Sequence, residues 1–285
     1  MRLASFRYQG KDGFGVVRED HVVDLTSDAT SLREALATWG LDGLRSRANS
    51  GRGVRRSLSE IAWQQPITNP DKILCVGLNY YEHAKEAGMA VPSRPSVFVR
   101  FPGSQVGHKA PVWRPRASSQ FDYEAELAVI IGSTARHVPE SEADGLIAGY
   151  ACFAENSVRD FQKHATQATP GKNFTASGAF GPWIVTPDEA GPVGNMDVIG
   201  RLNGQEMQRG SAANMIFSVS QIISYISSFA TLLPGDVIVT GTPAGVGFTR
   251  KPPVWLVPGD VFDVEITGIG VLSNPVVDEP LLEGS

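Results

Sequence analysis

The sequence predicts an α+β protein, rich in strands, in which a rolled or barrel-like domain follows a small N-terminal α/β unit. Three observations carry this. From Asp71 onward, short apolar runs recur between glycines and prolines: Lys72–Val76, Ser96–Arg100, Glu126–Ile131, Trp183–Thr186, Asp236–Thr240 and Val261–Ile266. Few helical patterns interleave with them, which argues against a doubly wound parallel sheet. Pro-Gly-Asp turns at 234–236 and 258–260 each precede a β-rich run.

Residues 1–65 read as the N-terminal unit. Strands are expected over Leu3–Tyr8, Gly15–Arg18 and His21–Leu25, with Gly-Lys-Asp-Gly at 10–13 as a turn and a helix over Thr30–Trp39. The arginine- and glycine-rich run Arg45–Arg56 reads as a loop or a short basic helix. Gln65-Pro66 and Asn69-Pro70 mark a boundary, and the larger domain occupies 70–285. Within it, Met215–Leu233 holds no charge over 19 residues, close to a membrane-spanning length. Its Ile216, Val219, Ile223, Ile226, Ala230 and Leu233 form one stripe, however, and Ser220, Ser224, Ser227 and Thr231 another. That is the pattern of an amphipathic helix docked on a core, so no membrane partner is expected.

The 285 residues are 42% hydrophobic and 19% charged, ordinary values for a globular chain. A net charge of −5 with no basic stripe argues against nucleic acid but leaves room for a small anion. Cys75 and Cys152 lie in apolar contexts without metal or redox spacing, and Met1–Arg7 lacks the apolar stretch of a signal peptide. Free thiols in a reducing cytoplasm are the expectation.

The most informative segment is Phe121–Gly132. Its second half is an unbroken aliphatic run, and alternation along a strand puts Asp122, Glu124 and Glu126 on the face that continues as Ala128 and Ile130. Tyr123, Leu127, Val129 and Ile131 occupy the other face, so both become apolar, as in a strand buried on both sides. Carboxylates entering such an interior are costly without a cation, and a hard divalent metal is the obvious candidate. A lone Glu-x-Glu is more often a solvated strand end; other residues must decide.

Three further clusters bear on that decision. In Cys75–Glu86, a buried strand runs through a glycine turn into a helical segment where His83 and Glu86 lie at i and i+3. A carboxylate that orients an imidazole suits general acid/base work, although such a pair also occurs on ordinary surface helices. In Ala154–Gln162, Glu155 follows a buried-looking stretch and offers a third carboxylate, with Arg159–Asp160 as a bracing ion pair. Lys172, in a loop with few other charges, offers a cation to an anionic substrate or reads as a plain surface lysine. In Thr240–Gly247 the glycines lack a following Lys-Ser/Thr and a helix, so this is no Walker motif. A tight turn bringing Thr242 and backbone N–H groups toward a ligand, or a purely structural turn, fits equally.

Taken in order, Val-Gly-Leu-Asn-Tyr with His83 and Glu86, Tyr-Glu-Ala-Glu-Leu, Ser-Val-Arg-Asp-Phe-Gln, Gly-Lys-Asn-Phe and Thr-Gly-Thr-Pro-Ala-Gly-Val-Gly resemble the fumarylacetoacetate hydrolase superfamily over roughly residues 70 to 278. The resemblance implies a mixed β-roll catalytic domain, a homodimer, and Mg²⁺ or Mn²⁺ held by Glu124, Glu126 and Glu155. At Glu155 the family more often has Asp, so an extra methylene must be absorbed. It further implies a general-base dyad of His83 and Glu86 and a substrate-side cation at Lys172. Arg100, Gln162 and Thr242 fall at substrate-binding positions, Arg100 standing where many relatives have lysine.

The function expected on this basis is metal-dependent hydrolysis of a C–C bond in an acylpyruvate-type 1,3-dicarbonyl acid, with water activated by His83 and a pyruvate enolate as leaving group. The same site suits isomerisation or tautomerisation of an unsaturated oxo-diacid, or decarboxylation of oxaloacetate, because each passes through an enolate. A third reading is a non-catalytic binder of a small oxo-acid, against which the retained His83–Glu86 pair argues.

Overall fold

The structure, a computed structural model, describes residues 1–281. Its centre is the strand Ala125–Ile131, every residue of which is buried. Antiparallel neighbours flank it: Ile147–Ala154 on one side and Val237–Val239 on the other. From Val237–Val239 the sheet continues through the parallel strand Ile73–Gly77 to its edge at Ser96–Arg100. In the opposite direction it runs through Gly178–Val185 into the N-terminal strands Arg2–Tyr8, Lys11–Val17, His21–Asp24 and Val54–Ser57. The N-terminal unit thus adds its strands to the same sheet, with Arg2 opposite Val185 and Leu3 opposite Ile184. A second, five-stranded sheet (Gln205–Ser211, Asp197–Leu202, Val261–Ile266, Gly270–Asp278, Val112–Arg114) covers the other face.

The alternation along the central strand divides the core as its sequence requires. Leu127, Val129 and Ile131 pack toward the second sheet with Val198, Val264 and Leu272. Ala128 and Ile130 pack on the opposite side with Leu3, Phe14, Leu32 and Leu36 of the N-terminal unit. Strands expected at Ser96–Arg100 and Val261–Ile266 form with those bounds, and those near 73, 126, 183 and 237 shift by a few residues. The expected helix at Thr30–Trp39 is longer, spanning Leu32–Asn49 with a break at Gly40, whose φ of 60° interrupts the helix. Ser31 caps it by accepting from the Glu34 N–H. The Arg45–Arg56 run therefore supplies the end of this helix, a bend and the start of the Val54–Ser57 strand.

The charge-free segment forms a docked helix over Val219–Phe229, opened by a capping box between Ser218 and Gln221. Val219, Ile223 and Ile226 are buried as expected. Ser227 is buried too, because its hydroxyl donates to the Ser224 carbonyl and accepts from the Val138 N–H. No helix among the described residues is long and apolar enough to cross a membrane.

His108 ties the edge of the second sheet to the strand pair around it. Its Nδ1 accepts from the Ser273 N–H at 3.1 Å, a role open only to the neutral ring. Burial, helped by Lys109, pushes its pKa from 6.5 down to about 4. The unfolded chain therefore binds the extra proton first, and the stability contributed above pH 6.5 is lost as pH falls toward 4. His108→Asn, which keeps an acceptor but cannot titrate, should flatten that part of the stability profile in urea unfolding between pH 6.5 and 4.

Candidate active site

The site is assembled by register. Ala125 pairs with Ala154, so Glu124 and Glu155 stand opposite each other, and the Glu155 N–H donates to the Glu124 carbonyl at 2.9 Å. Directly opposed residues share a face, and Glu126 joins them two positions on. The three carboxylates lie within 4.8 Å of one another and are almost wholly buried. Asp122, expected on the same face, does not join them, because the strand breaks at Tyr123–Glu124 and Phe121–Asp122 pairs separately with Ser157–Val158. Asp122 accepts from Arg159 Nε at 2.7 Å and from the Gly247 and Phe248 N–H groups at 2.7 and 3.1 Å.

Three cations are packed against these acids. Lys172 Nζ lies 3.2 Å from both oxygens of Glu124 and hydrogen-bonds Glu155. It is buried at the end of the short helix Thr169–Lys172, not exposed on a loop. That helix approaches closely only because Gly171 has no side chain: a Cβ there would sit 2.6 Å from the Gln162 nitrogen. Arg159 Nη2 lies 2.7 Å from Glu124 Oε1, and its Nη1 donates to Gln162 Oε1 at 3.0 Å. Arg159 thus pairs with Asp122 and Glu124, not with Asp160, which instead accepts from Ser118 and from the Phe161 N–H.

Arg100 requires a larger correction. Expected at the substrate, its side chain is fully buried behind Glu155. It donates to Glu155 Oε1 at 2.9 Å, to the Asn156 carbonyl at 3.0 Å, and to Ser104 and Ser177. All three of its nitrogens are used by the protein, so Arg100 braces the third carboxylate. Thr242 is likewise occupied, donating to the Ala125 carbonyl at 2.9 Å and accepting from Gln208 at 2.7 Å. Gln208 had no signal in its polar strand, yet it also accepts from the Ala125 N–H and donates to the Pro243 carbonyl. Gln162 has its amide oxygen held by Arg159, which leaves the NH₂ as the group it can offer.

The 240–247 loop aims its N–H groups at acids of the protein. Gly241 donates to Glu126, Gly245 to both oxygens of Glu86 at 3.0 Å, and Gly247 to Asp122. Helix Tyr81–Glu86 is anchored to this loop, and His83 Nδ1 lies 2.8 Å from Glu86 Oε1. Burial alone would raise the Glu86 pKa; His83, the Gly245 amide and Thr249 outweigh it and hold it below the usual carboxylate range. Asn79, also missed in the sequence, fixes the approach to this helix through the Phe217 and Thr240 carbonyls.

The electrostatics divide the triad. Burial would raise Glu124, but Arg159, Lys172, the Ser157 hydroxyl and, more weakly, His83 bring it down to about 2. Glu126 is pushed well above its ordinary value by burial and by the Glu155 and Glu124 charges. Burial raises Glu155 also, against the pull of Lys172 and Arg100. Three buried oxygen-donor groups, one of them short of a counter-charge, fit a hard divalent ion such as Mg²⁺ or Mn²⁺.

A family model described as the fumarylacetoacetate (FAA) hydrolase C-terminal domain matches residues 72–277. The chain belongs to this family. A mitochondrial oxaloacetate tautomerase of Xenopus laevis is 42% identical over 97% of this chain and 90% of its own length. Among solved structures, a fumarylacetoacetate hydrolase of Exiguobacterium antarcticum is 37% identical, with a TM-score of 0.86 over 98% of this chain and 100% of that one. A maleylpyruvate hydrolase of Sphingobium sp. SYK-6, in complex with manganese(II) and pyruvate, is 27% identical, with a TM-score of 0.82 over the same shares.

Bracing by Arg100 has a direct consequence. Arg100→Leu leaves Glu155 with Lys172 as its remaining cation and should destabilise the fold by about 1.5–3 kcal/mol, the scale for losing hydrogen bonds to a buried charged group. Urea unfolding measures this; a residue that merely touched substrate would leave the midpoint unchanged and raise KM instead.

Proposed function

We propose that the protein is an enzyme that interconverts the enol and keto forms of a small 2-oxo acid of the oxaloacetate type. The observation that carries this reading is the His83–Glu86 pair, held at 2.8 Å by the glycine loop beside a buried acidic triad. The similarity to an oxaloacetate tautomerase over nearly the whole chain supports the choice of reaction.

Tautomerisation moves one proton between the 2-oxygen and C3 of the substrate and neither adds nor removes water. A single imidazole that alternately accepts and donates is sufficient for it. Glu86 holds the His83 Nδ1 side, so Nε2 is the atom that exchanges the proton. Gln162 offers an amide donor to the negative charge that develops on the substrate, and Lys172, bonded to Glu124 and Glu155, adds its positive charge through space. Glu124, Glu126 and Glu155 would hold Mg²⁺ or Mn²⁺, which when bound supplies Lewis-acid stabilisation of that charge. The small anionic oxo-acid as ligand and a homodimeric assembly belong to the same proposal.

Hydrolysis of an acylpyruvate remains a second reading, supported by the similarity to maleylpyruvate hydrolase. The same Nε2 would then take a proton from water, which attacks the carbonyl remote from the oxo-acid end. Spectrophotometric decay of enol-oxaloacetate with Mg²⁺ or Mn²⁺ present, set beside pyruvate release from acylpyruvates, separates the two. The first reading predicts fast ketonisation, with kcat lowered by about 10²–10⁴ in His83→Gln. Acylpyruvate cleavage without accelerated ketonisation would reverse the order of the two.

A further inference from the structure

We propose that Arg250 is a positioning residue for the His83–Glu86 pair, acting through the backbone of Gly245. The guanidinium is partly buried, and among the described residues its hydrogen bonds go to a phenol and to carbonyls, not to a carboxylate. Nε donates to the Tyr123 hydroxyl at 2.9 Å and to the Gly245 carbonyl at 3.3 Å, while Nη2 donates to the Met207 carbonyl at 2.7 Å and to the Gly245 carbonyl at 3.1 Å. The Tyr123 hydroxyl in turn donates to the same Gly245 carbonyl at 3.3 Å. One peptide oxygen therefore collects two donors of a planar cation and a phenol.

The other side of that residue carries the chemistry. The Gly245 N–H donates to both oxygens of Glu86, whose Oε1 meets His83. Gly245 has φ +102°, and a Cβ there would lie 2.2 Å from the Met207 carbonyl oxygen. Both features require glycine at this position, and glycine's freedom leaves the direction of its amide to be set by contacts from outside the residue. Arg250 grips both the Gly245 and Met207 carbonyls, fixing the loop against the strand Gln205–Ser211 and aiming the amide at Glu86. Hydrogen bonds from a charged donor are about twice as strong as neutral ones, which suits a clamp. Thr249, one residue before Arg250, adds a second donor to Glu86 from the same turn.

This assignment deepens the proton-transfer reading, and its kinetic half rests on that reading. Its structural half does not. In Arg250→Met, hydrogen exchange at the Gly245 amide should accelerate by about tenfold or more, the scale for losing one charge-assisted bond. The amides of Gly241 and Gly247, which serve Glu126 and Asp122, should keep their rates. On enol-oxaloacetate, kcat should fall by about 10²-fold, the usual cost of a misplaced catalytic group. KM and Mn²⁺ affinity should stay within about twofold of wild type. Arg250→Lys should recover only part of kcat, since one ammonium cannot span three acceptors. Tyr123→Phe, which keeps the ring and removes the hydroxyl's contacts to Arg250 and to the Gly245 carbonyl, should show the same pattern in milder form. Uniformly faster exchange with kcat preserved would make Arg250 a plain structural residue, and a raised KM with kcat spared would place it on the substrate; either overturns the assignment. Absence of activity on any oxo-acid, with the exchange pattern intact, would overturn only the proposed reaction.

Discussion

Everything at the centre of this molecule depends on how four buried carboxylates are neutralised. Asp122, Glu124, Glu126 and Glu155 are all buried, and Arg100, Arg159 and Lys172 are the cations packed against them. Four negative groups against three positive ones leave one charge over. It falls on Glu126, which the Gly241 amide contacts and whose neighbours Glu155 and Glu124 repel it. Burying such a group is tolerable if it holds a proton or meets a further cation, and the second solution turns a structural liability into a metal centre.

The glycine loop and the strand register are the devices that let the cluster exist. Pairing of Ala125 with Ala154 sets Glu124 against Glu155, and the adjoining strand Val237–Val239 delivers Gly241 beside Glu126. From there three amides of one loop reach three different acids, two inside the sheet and one on the helix that carries His83. The acidic triad and the His83–Glu86 pair are thus linked through a single stretch of backbone. The parallel strand Ile73–Gly77 enters at the same end of the sheet and feeds that helix through Asn79.

Much of this was legible in the sequence, for a local reason. Period-two alternation put Glu124 and Glu126 on one face and predicted burial on both, and three-residue spacing paired His83 with Glu86; both are properties of a single element. The strand-rich class followed from the short apolar runs in the same way. Partner choice across distant elements was not legible. Arg100 stands 55 positions from Glu155, and its role depends on where an edge strand ends relative to that acid. Arg159 sits beside Asp160 in sequence, but its side chain turns to Asp122 and Glu124, more than thirty positions away. Lys172 looked like a lysine without company because its acids flank two distant strands, Glu124 just before Ala125–Ile131 and Glu155 just after Ile147–Ala154. Gln208 and Arg250 work almost entirely through backbone groups, which leave no trace in residue type.

The central claim is that the acidic cluster is one cation short and that burial with two acidic neighbours makes Glu126 the carboxylate that most readily holds a proton until a further cation arrives. Calorimetric titration of the wild-type protein with Mn²⁺ at neutral pH, in two buffers of different ionisation enthalpy, counts the protons displaced on binding. The account predicts net proton release on binding, because the ligands must bind the metal deprotonated. An observed binding enthalpy that is the same in both buffers would mean that Glu126 was already ionised, and would contradict it.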